Sequence, residues 1–292
     1  MNKAESEALE IELCQNGWES AESPEESSLV IINTCSVRKT AEDRIWGRIG
    51  FYKRIRGINP DQRLIVTGCM AERLGDELKN GNNSPVDKVF GTFEKAEIVN
   101  YVLERNIAEK NENNIYVFKE KHTKNGSFKA FIPIMNGCNN FCSYCIVPYV
   151  RGREISRNPD EIILELKELE EMKIKEISLI GQNVNSYNYN NGNVIMDFPD
   201  LLSLITRNVK SVEWIRFITS HPKDLSDKLI ETISKTKSIC KHLHLPLQSG
   251  SDKILDRMNR KYTSGHYYDL VDKIKKAVPG ISITTDIIVG FP

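Results

Sequence analysis

The chain has 292 residues, 40% of them hydrophobic, and its 40 basic side chains cancel its 40 acidic ones. That length suits about two domains, and the composition is that of an ordinary globular protein rather than a disordered or fibrous one. A balanced charge means that any nucleic-acid partner must be held by a local patch. Seven cysteines without a signal peptide or a long apolar run argue against a disulfide framework and for a reducing compartment, with the cytoplasm expected.

From the start, residues 3 to 14 place Ala4, Ala8, Leu9, Ile11 and Leu13 among acids, the pattern of an amphipathic helix ended near Asn16 and Gly17. Cys14 falls in that apolar stripe. An acidic loop, Glu19 to Ser28, leads to the apolar run Leu29-Val30-Ile31-Ile32, which has buried-strand length and exits at Asn33-Thr34-Cys35-Ser36. A helix is expected from Val37 to Arg56, a strand from Arg63 to Thr67 exiting at Gly68-Cys69-Met70-Ala71, a weaker strand from Val86 to Phe90, and a helix from Glu94 to Arg105. This β-α-β-α order implies a parallel sheet with helices outside. Ligands of such sheets collect beyond the carboxyl ends of the strands, where Cys35 and Cys69 stand. As lone cysteines they read first as packed or incidental thiols.

A polar stretch rich in Asn, Lys and Glu, with one candidate strand at Ile115 to Phe118, is the expected linker. The domains are then 1–106 and 124–292, with the linker at 107–123. In the second domain strands are expected at Ala130 to Met135, Glu176 to Ile180, Val212 to Ile218, His242 to Leu245 and Ser282 to Val289, separated by helices at 159–173, 199–208, 224–236 and 264–277. Five β/α units make a barrel or part of one. The fold class is therefore α/β, an open parallel-sheet domain followed by an incomplete (β/α) barrel. Polar clusters follow the strands, at Gly181-Gln182-Asn183-Val184-Asn185, Thr219-Ser220-His221-Pro222 and Gln248-Ser249-Gly250-Ser251. Barrels build their chemistry at that end, from several strand tips at once. His242 and His244 share one face of a strand and read as ordinary barrel histidines.

The most informative stretch is Cys138-Asn139-Asn140-Phe141-Cys142-Ser143-Tyr144-Cys145, directly after the first strand of this domain. Three soft thiolates on one short loop can each reach a separate iron of a cubane and leave the fourth iron open. A zinc site with a distant fourth ligand is the main alternative, although no adjacent His or second Cys-x-x-Cys supports it; three unrelated thiols is the other. Basic residues gather in two places: Arg38, Lys39, Arg44, Arg48, Lys53, Arg54 and Arg56 on the long helix, and Arg151, Arg153 and Arg157 after the cysteine loop. The first group reads as a solvated helix face. The second is a candidate for RNA phosphates beside a splayed-out base.

The Cys-x3-Cys-x2-Cys loop with Tyr144 before its last cysteine resembles the signature of radical S-adenosylmethionine (SAM) enzymes. The flanks, Ile132-Pro133-Ile134-Met135-Asn136-Gly137 and Ile146-Val147-Pro148-Tyr149-Val150-Arg151-Gly152-Arg153-Glu154, resemble the methylthiotransferases that modify tRNA. The resemblance implies a 4Fe-4S cluster on Cys138, Cys142 and Cys145 whose open iron chelates SAM, an electron from the cluster then cleaving SAM to a 5'-deoxyadenosyl radical. It implies a second, auxiliary 4Fe-4S cluster on Cys35 and Cys69, the source of the inserted sulfur. Tyr144, Gly181, Gln182, Asn183, Arg216 and Gln248 are implied as SAM contacts. The implied partners are the tRNA anticodon loop and a reducing electron donor such as flavodoxin or ferredoxin, with no membrane.

In the family an inert aromatic C-H of a hypermodified adenosine becomes C-S-CH3, with SAM used both as methyl donor and as radical source. The branch acting on isopentenylated adenosine is the expected one. Branches acting on threonylcarbamoyl-adenosine or on a ribosomal-protein aspartate are the alternatives, and an electron-transfer or inactive iron-sulfur fragment is the alternative of another class. The family's first auxiliary ligand stands in a Gly-Cys-Gln-Met-Asn segment, whose Met matches Met1, so the auxiliary cluster is expected to be incomplete in this chain. A last β/α unit and a small RNA-binding β-barrel are likewise expected beyond Pro292, leaving the final strand as an open edge prone to association.

Overall fold

The computed structural model describes residues 1–36, 39–80, 84–104 and 127–292. The expected linker at 107–123, the candidate strand at Ile115 to Phe118, and Val37 and Arg38 lie outside the described residues. By contact these residues form two units, one of residues 2–104 with 149–151, the other of residues 127–148 with 152–292.

The first unit runs α1 (Asn2–Gln15), β1 (Leu29–Thr34), α2 (Lys39–Arg56), β2 (Arg63–Gly68), α3 (Cys69–Leu74), α4 (Glu77–Asn80), β3 (Lys88–Phe90) and α5 (Lys95–Val102). The strands make a parallel sheet in the order β1-β2-β3. Side chains alternate across a strand, so the two faces of β2 can serve two cores. Ile65 packs with Ala8, Leu9, Leu13, Ile98 and Val99, whereas Leu64 and Val66 pack with Ile49, Met70, Leu78 and Val86. Burial on both faces is what makes such strands read as continuous apolar runs. Cys14 departs from expectation, since the last turn of α1 turns it to the exposed side.

The second unit contains β4 (Lys129–Pro133), β5 (Met135–Asn136), α6 (Val147–Val150, whose last two residues are grouped with the first unit), β6 (Ile155–Ser156), α7 (Pro159–Glu171), β7 (Glu176–Ile180), β8 (Asn188–Asn190), β9 (Ile195–Asp197), α8 (Phe198–Asn208), β10 (Trp214–Ile218), α9 (Asp227–Lys235), β11 (His242–His244), α10 (Asp252–Arg257), α11 (Ser264–Ala277) and β12 (Ser282–Thr284). The parallel strands lie in the order β10-β7-β4 and β11-β12, and a bridge from Ile215 to Ile239 joins the two groups. They form an open parallel sheet, with no closed barrel among the described residues.

Local chemistry starts the helices. Asn158, Asp197, Ser226 and Thr263 each accept a hydrogen bond from a first-turn N–H, at the heads of α7, α8, α9 and α11. One face of the sheet, carrying Ala130, Ile132, Ile177, Leu179, Ile215 and Phe217, is sealed by apolar side chains of those helices. The other face carries Phe131, Ser178 and Arg216 in register.

Five strands are shorter than the sequence pattern implies; β3 and β10 each start two residues late, β11 ends one residue early, and two others stop short at their carboxyl ends. The expected strand at Ala130 to Met135 ends at Pro133: Ile134 gives a last bond to the Ile180 carbonyl (3.0 Å), and Met135 then turns to pair antiparallel with Ser156. The expected strand at Ser282 to Val289 stops at Thr284. Beyond it the Leu247 N–H donates to the Thr285 hydroxyl, and pairing returns only as an isolated parallel bridge between Gln248, at φ 68°, and Ile287. The α8 approach contains the hairpin β8-β9, which sequence reasoning missed; the side chains of Asn190 and Asn191 hold its turn.

Helix α7 offers a direct check of this packing. Leu166 is fully buried, whereas Leu164 is 63% exposed. Leu166→Ala is expected to cost about 2–5 kcal/mol, and Leu164→Ala about 0.5 kcal/mol or less. Urea unfolding of the two variants measures both, and equal losses would overturn the assignment of faces.

Candidate metal centre

The cysteine loop leaves the sheet through Gly137, which sits at φ 80°; a Cβ there would lie 2.0 Å from the carbonyl oxygen of Arg153. No other residue fits. The loop is then fastened from two sides. On one, Cys138 N–H donates to the Gly152 carbonyl (3.1 Å), Asn139 and Glu154 exchange two bonds, and the Arg153 guanidinium lies 4.3 Å over the Phe141 ring. On the other, the Ser143 N–H and hydroxyl donate to the carbonyls of Met258 (3.1 Å) and Arg257 (2.9 Å), and the Asn259 amide donates to the Phe141 carbonyl (2.8 Å). Asn259 thereby accommodates Phe141 at φ 48°, an unusual backbone state for an aromatic residue.

Inside this clamp the three thiols differ. Cys142 is buried, while Cys138 and Cys145 are partly exposed. Burial pushes the Cys138 thiol up to about 11 and raises that of Cys145. Such thiols ligate only when a metal's charge displaces their protons. The Asn140 amide points at Cys138 Sγ (3.6 Å), and Arg260 donates to Cys142 Sγ (3.4 Å) and to the Tyr144 hydroxyl (3.4 Å). No three His, Cys, Asp or Glu side chains among the described residues converge on one metal ion. A single zinc needs thiolates about 2.3 Å from one centre. A cubane asks for less, one thiolate for each of three irons.

Of the other residues implied by the resemblance, Gln182 and Asn183 stand just beyond β7. The side-chain oxygens of both are buried without a hydrogen-bond partner among the described residues, as is the Ser220 hydroxyl at the tip of β10. Orphaned polar atoms at adjacent strand tips are the kind of group that a polar ligand satisfies. Asn183 is aimed by a bond from its amide to Asp224 (2.8 Å). Gly181 has a packing reason of its own: a Cβ would lie 2.4 Å from Met135 Cγ. Arg216 pairs with Glu176 (3.3 Å) in mid-strand, and Gln248 is engaged through its backbone in the bridge described above. His242 and His244 both meet the Thr284 hydroxyl, at 3.2 and 3.1 Å. His221 is locked by a reciprocal pair of bonds between its backbone and the Asn185 side chain.

In the first unit the parallel register sets Thr34 beside Gly68, so Cys35 and Cys69 leave neighbouring strands at the same level. Gly68, at φ 99°, permits this, since a Cβ would lie 2.4 Å from the Thr34 carbonyl oxygen. Cys69 opens α3. Behind it Glu5, Lys95 and Arg151 form a buried group, Arg151 binding Glu5 at 2.8 Å and Lys95 binding the same carboxylate. Burial alone would raise the Glu5 carboxyl, but the Arg151 and Lys95 charges outweigh it and hold it well below the usual range. Arg151 also donates to the Cys69 thiol.

These contacts correct one expectation. Arg151 and Arg157 are not available to RNA phosphates: the first is buried against Glu5, the second against Glu165. Of that trio only Arg153 is exposed. Sequence reasoning also missed Asn259, Arg260 and Tyr262, which follow a short helix far along the chain. The charged run Arg257-Met258-Asn259-Arg260-Lys261 gave no sign that Arg260 would be buried.

A family model described as the radical SAM superfamily matches residues 132–292, more than half of the chain. The chain belongs to the radical SAM superfamily. A model described as uncharacterized protein family UPF0004 matches residues 1–91 of this radical SAM protein. Curated relatives named tRNA-2-methylthio-N(6)-dimethylallyladenosine synthase match the whole chain: that of Treponema denticola is 46% identical with 68% of its length covered, that of Treponema pallidum (strain Nichols) 44% with 68%, and that of Clostridium perfringens (strain 13 / Type A) 45% with 66%. The chain thus spans about two thirds of the length of these relatives. Among solved structures, the radical SAM methyltransferase TsrM from Kitasatospora setae, with cobalamin and a [4Fe-4S] cluster bound, is 15% identical with a TM-score of 0.67, covering 99% of this chain and 66% of that one. The cobalamin-dependent radical SAM enzyme OxsB is 14% identical with a TM-score of 0.57, covering 90% and 41%. Those two share the fold. No described helix is long and apolar enough to cross a membrane.

Two measurements follow from the geometry. Gly137→Ala should lose about 1–3 kcal/mol of stability from backbone strain alone, and iron uptake with it; a variant as stable as the parent in urea would contradict the close approach to Arg153. His221 is pushed down to about 3 by burial, with the Arg260 and Lys223 charges acting the same way, so its ring is neutral and its Nδ1 accepts from the Lys223 N–H. An unfolded histidine binds its proton near pH 6.5. The unfolded state thus binds more protons between about pH 3 and 6.5, and His221 lowers stability as pH falls through that window and has no effect above it. Its ring resonances should not titrate from pH 8 to pH 5; a midpoint above pH 5 would refute this.

Proposed function

We propose that this chain carries the catalytic core of a tRNA methylthiotransferase, acting on isopentenylated adenosine beside the anticodon. The observation that carries the reading is the cysteine loop Cys138-Asn139-Asn140-Phe141-Cys142-Ser143-Tyr144-Cys145, held at the exit of a parallel strand. The curated relatives' names support the substrate. Cys138, Cys142 and Cys145 would hold the SAM-binding 4Fe-4S cluster, and the donor set fits it: three thiols on one braced loop, with an arginine on one sulfur. Bound there, the cluster and SAM supply a radical able to activate a C-H bond that has no acidic proton for a general base.

The chain's own residues have the tasks of binding, orienting and excluding water. Tyr144, half-exposed beside the thiols, offers a ring edge to an adenine. Gln182 and Asn183 offer their unpartnered oxygens to the polar end of SAM, with Arg216 and Gln248 at the periphery. Cys35 and Cys69, placed level by the β1-β2 register, would be ligands of the auxiliary cluster, with Arg151 donating to Cys69. The domains of this chain are taken as 1–106 and 124–292 about the linker. The tRNA anticodon loop, a low-potential donor such as flavodoxin or ferredoxin, and a cytoplasmic setting complete the proposal.

The test is anaerobic reconstitution with iron and sulfide followed by reduction in the presence of SAM. The parent chain should release 5'-deoxyadenosine, and Cys142→Ala should lose at least 100-fold in that rate. A Cys142→Ala variant as fast as the parent would sink the assignment.

A further inference from the structure

Arg260 is a buried cation with no carboxylate among its partners in the described residues. The residue is 8% exposed, and its guanidinium donates to four acceptors: Tyr262 Oη from Nε (3.1 Å), Cys142 Sγ and Tyr144 Oη from Nη1 (3.4 Å each), and the Pro246 carbonyl from Nη2 (3.2 Å). All four are neutral while Cys142 is a thiol. Burying an arginine charge among neutral groups is costly unless something nearby carries the opposite sign. The fold nevertheless fixes it there. Tyr262 presents its ring 5.0 Å from the guanidinium carbon and ties its own hydroxyl to the carbonyls of Pro246 and Leu247. The neighbouring Asn259 and Met258 bind the cysteine loop itself. One short segment, Met258–Tyr262, therefore sets both the path of the loop and the position of a positive charge against its central sulfur.

We propose that Arg260 is a positioning residue for the cluster held by Cys138, Cys142 and Cys145, and that its N–H···S bond and charge set how readily that cluster accepts an electron. The inference rests on the cluster reading above. Ligation makes Cys142 a thiolate, which supplies the missing countercharge and converts a neutral contact into a charge-assisted one, about twice as strong. Reduction adds one electron and breaks no bond. The extra negative charge falls on a centre one of whose sulfurs faces a fixed cation through a dry contact. Hydrogen bonds to the sulfurs and net charge are among the factors that set such potentials, and both act here in the direction of easier reduction. The same guanidinium touches the Tyr144 hydroxyl, so the aromatic residue of the loop is oriented by the charge that tunes the cluster. His221, packed edge-on at 5.5 Å against the Tyr262 ring, stays neutral beside it and adds no competing charge.

The experiment is an EPR-monitored reductive titration of the reconstituted chain with dithionite and mediators, together with iron analysis, on the parent, Arg260→Gln and Arg260→Lys. Gln keeps a donor and removes the charge; Lys keeps the charge and loses the fork that reaches Sγ and Pro246 together. At a fixed potential, Arg260→Gln should hold about tenfold less of its cluster reduced, which for a one-electron couple is a midpoint lower by about 59 mV. Arg260→Lys should fall between Gln and parent. Loss of iron from a folded Arg260→Gln chain while Arg260→Lys retains it also supports the assignment, since charge then decides retention. Should Arg260→Gln fail to fold, Arg260→Lys carries the test alone, with a lowered midpoint expected. Variants that keep their iron and the parent's midpoint overturn the proposal and leave the cluster reading standing. A parent chain that takes up no cluster overturns both.

Discussion

A parallel ladder fixes where chemistry can stand in this chain. Parallel strands need long crossovers, and here the crossovers are helices whose apolar stripes seal one face of the sheet in the second unit and both faces in the first. The helices leave the carboxyl ends of the strands open. The groups given a chemical role, apart from Arg151, Arg216 and the clamp segment, lie past such ends. Cys35 follows β1, Cys69 follows β2, the cysteine loop follows β4 and β5, and Gln182 and Asn183 follow β7. The ladder also sets heights, because register makes residues that leave neighbouring strands emerge level, as Thr34 and Gly68 do.

A loop that carries three thiols cannot rely on the ladder, and the chain braces it by other means. Gly137 admits a carbonyl where a side chain would otherwise stand, and Asn259 satisfies the carbonyl that the left-handed turn at Phe141 turns inward. The braces come from residues 15 and more than 110 positions away, as Asn139 with Glu154 and Ser143 with Arg257 illustrate. The loop is thus built by tertiary contacts rather than by its own sequence. Cluster ligands need fixed geometry before the metal arrives, and contacts of this sort supply it.

That division explains how much was legible beforehand. Period and length located β7 and α11 to the residue, because Glu176–Ile180 is an unbroken apolar-rich run and Ser264–Ala277 has a capping Thr263 and a clear stripe. The thiols announced themselves by spacing. What stayed hidden depended on partners remote in sequence. Arg151 and Arg157 carry the same signal as any basic residue beside a reactive loop, and only the placement of Glu5 and Glu165 makes them interior ion pairs. Cys14 was placed in an apolar stripe by period alone, whereas the packed face of α1 runs through Ala4, Ala8, Leu9 and Leu13 and leaves it outside. The strand after Ser282 read as long because Ile287, Ile288 and Val289 are strand formers, but Ile287 and Val289 are exposed and the ladder had already ended at Thr284.

The buried charges carry the argument one step further. Arg157 is matched by carboxylates, the buried Glu165 and, at 3.6 Å, the exposed Glu161. Glu5 is different, one carboxylate serving both Lys95 and Arg151, and Arg151 reaches on to Cys69. Arg260 has only neutral partners, one of them Cys142. Buried charge is stable when paired and costly when not. In each unit, then, a buried arginine donates to the sulfur of a cysteine that the family resemblance implies as a ligand, an arrangement of little value to a neutral thiol. On the cluster reading proposed above, it becomes favourable once that sulfur is a thiolate bound to iron.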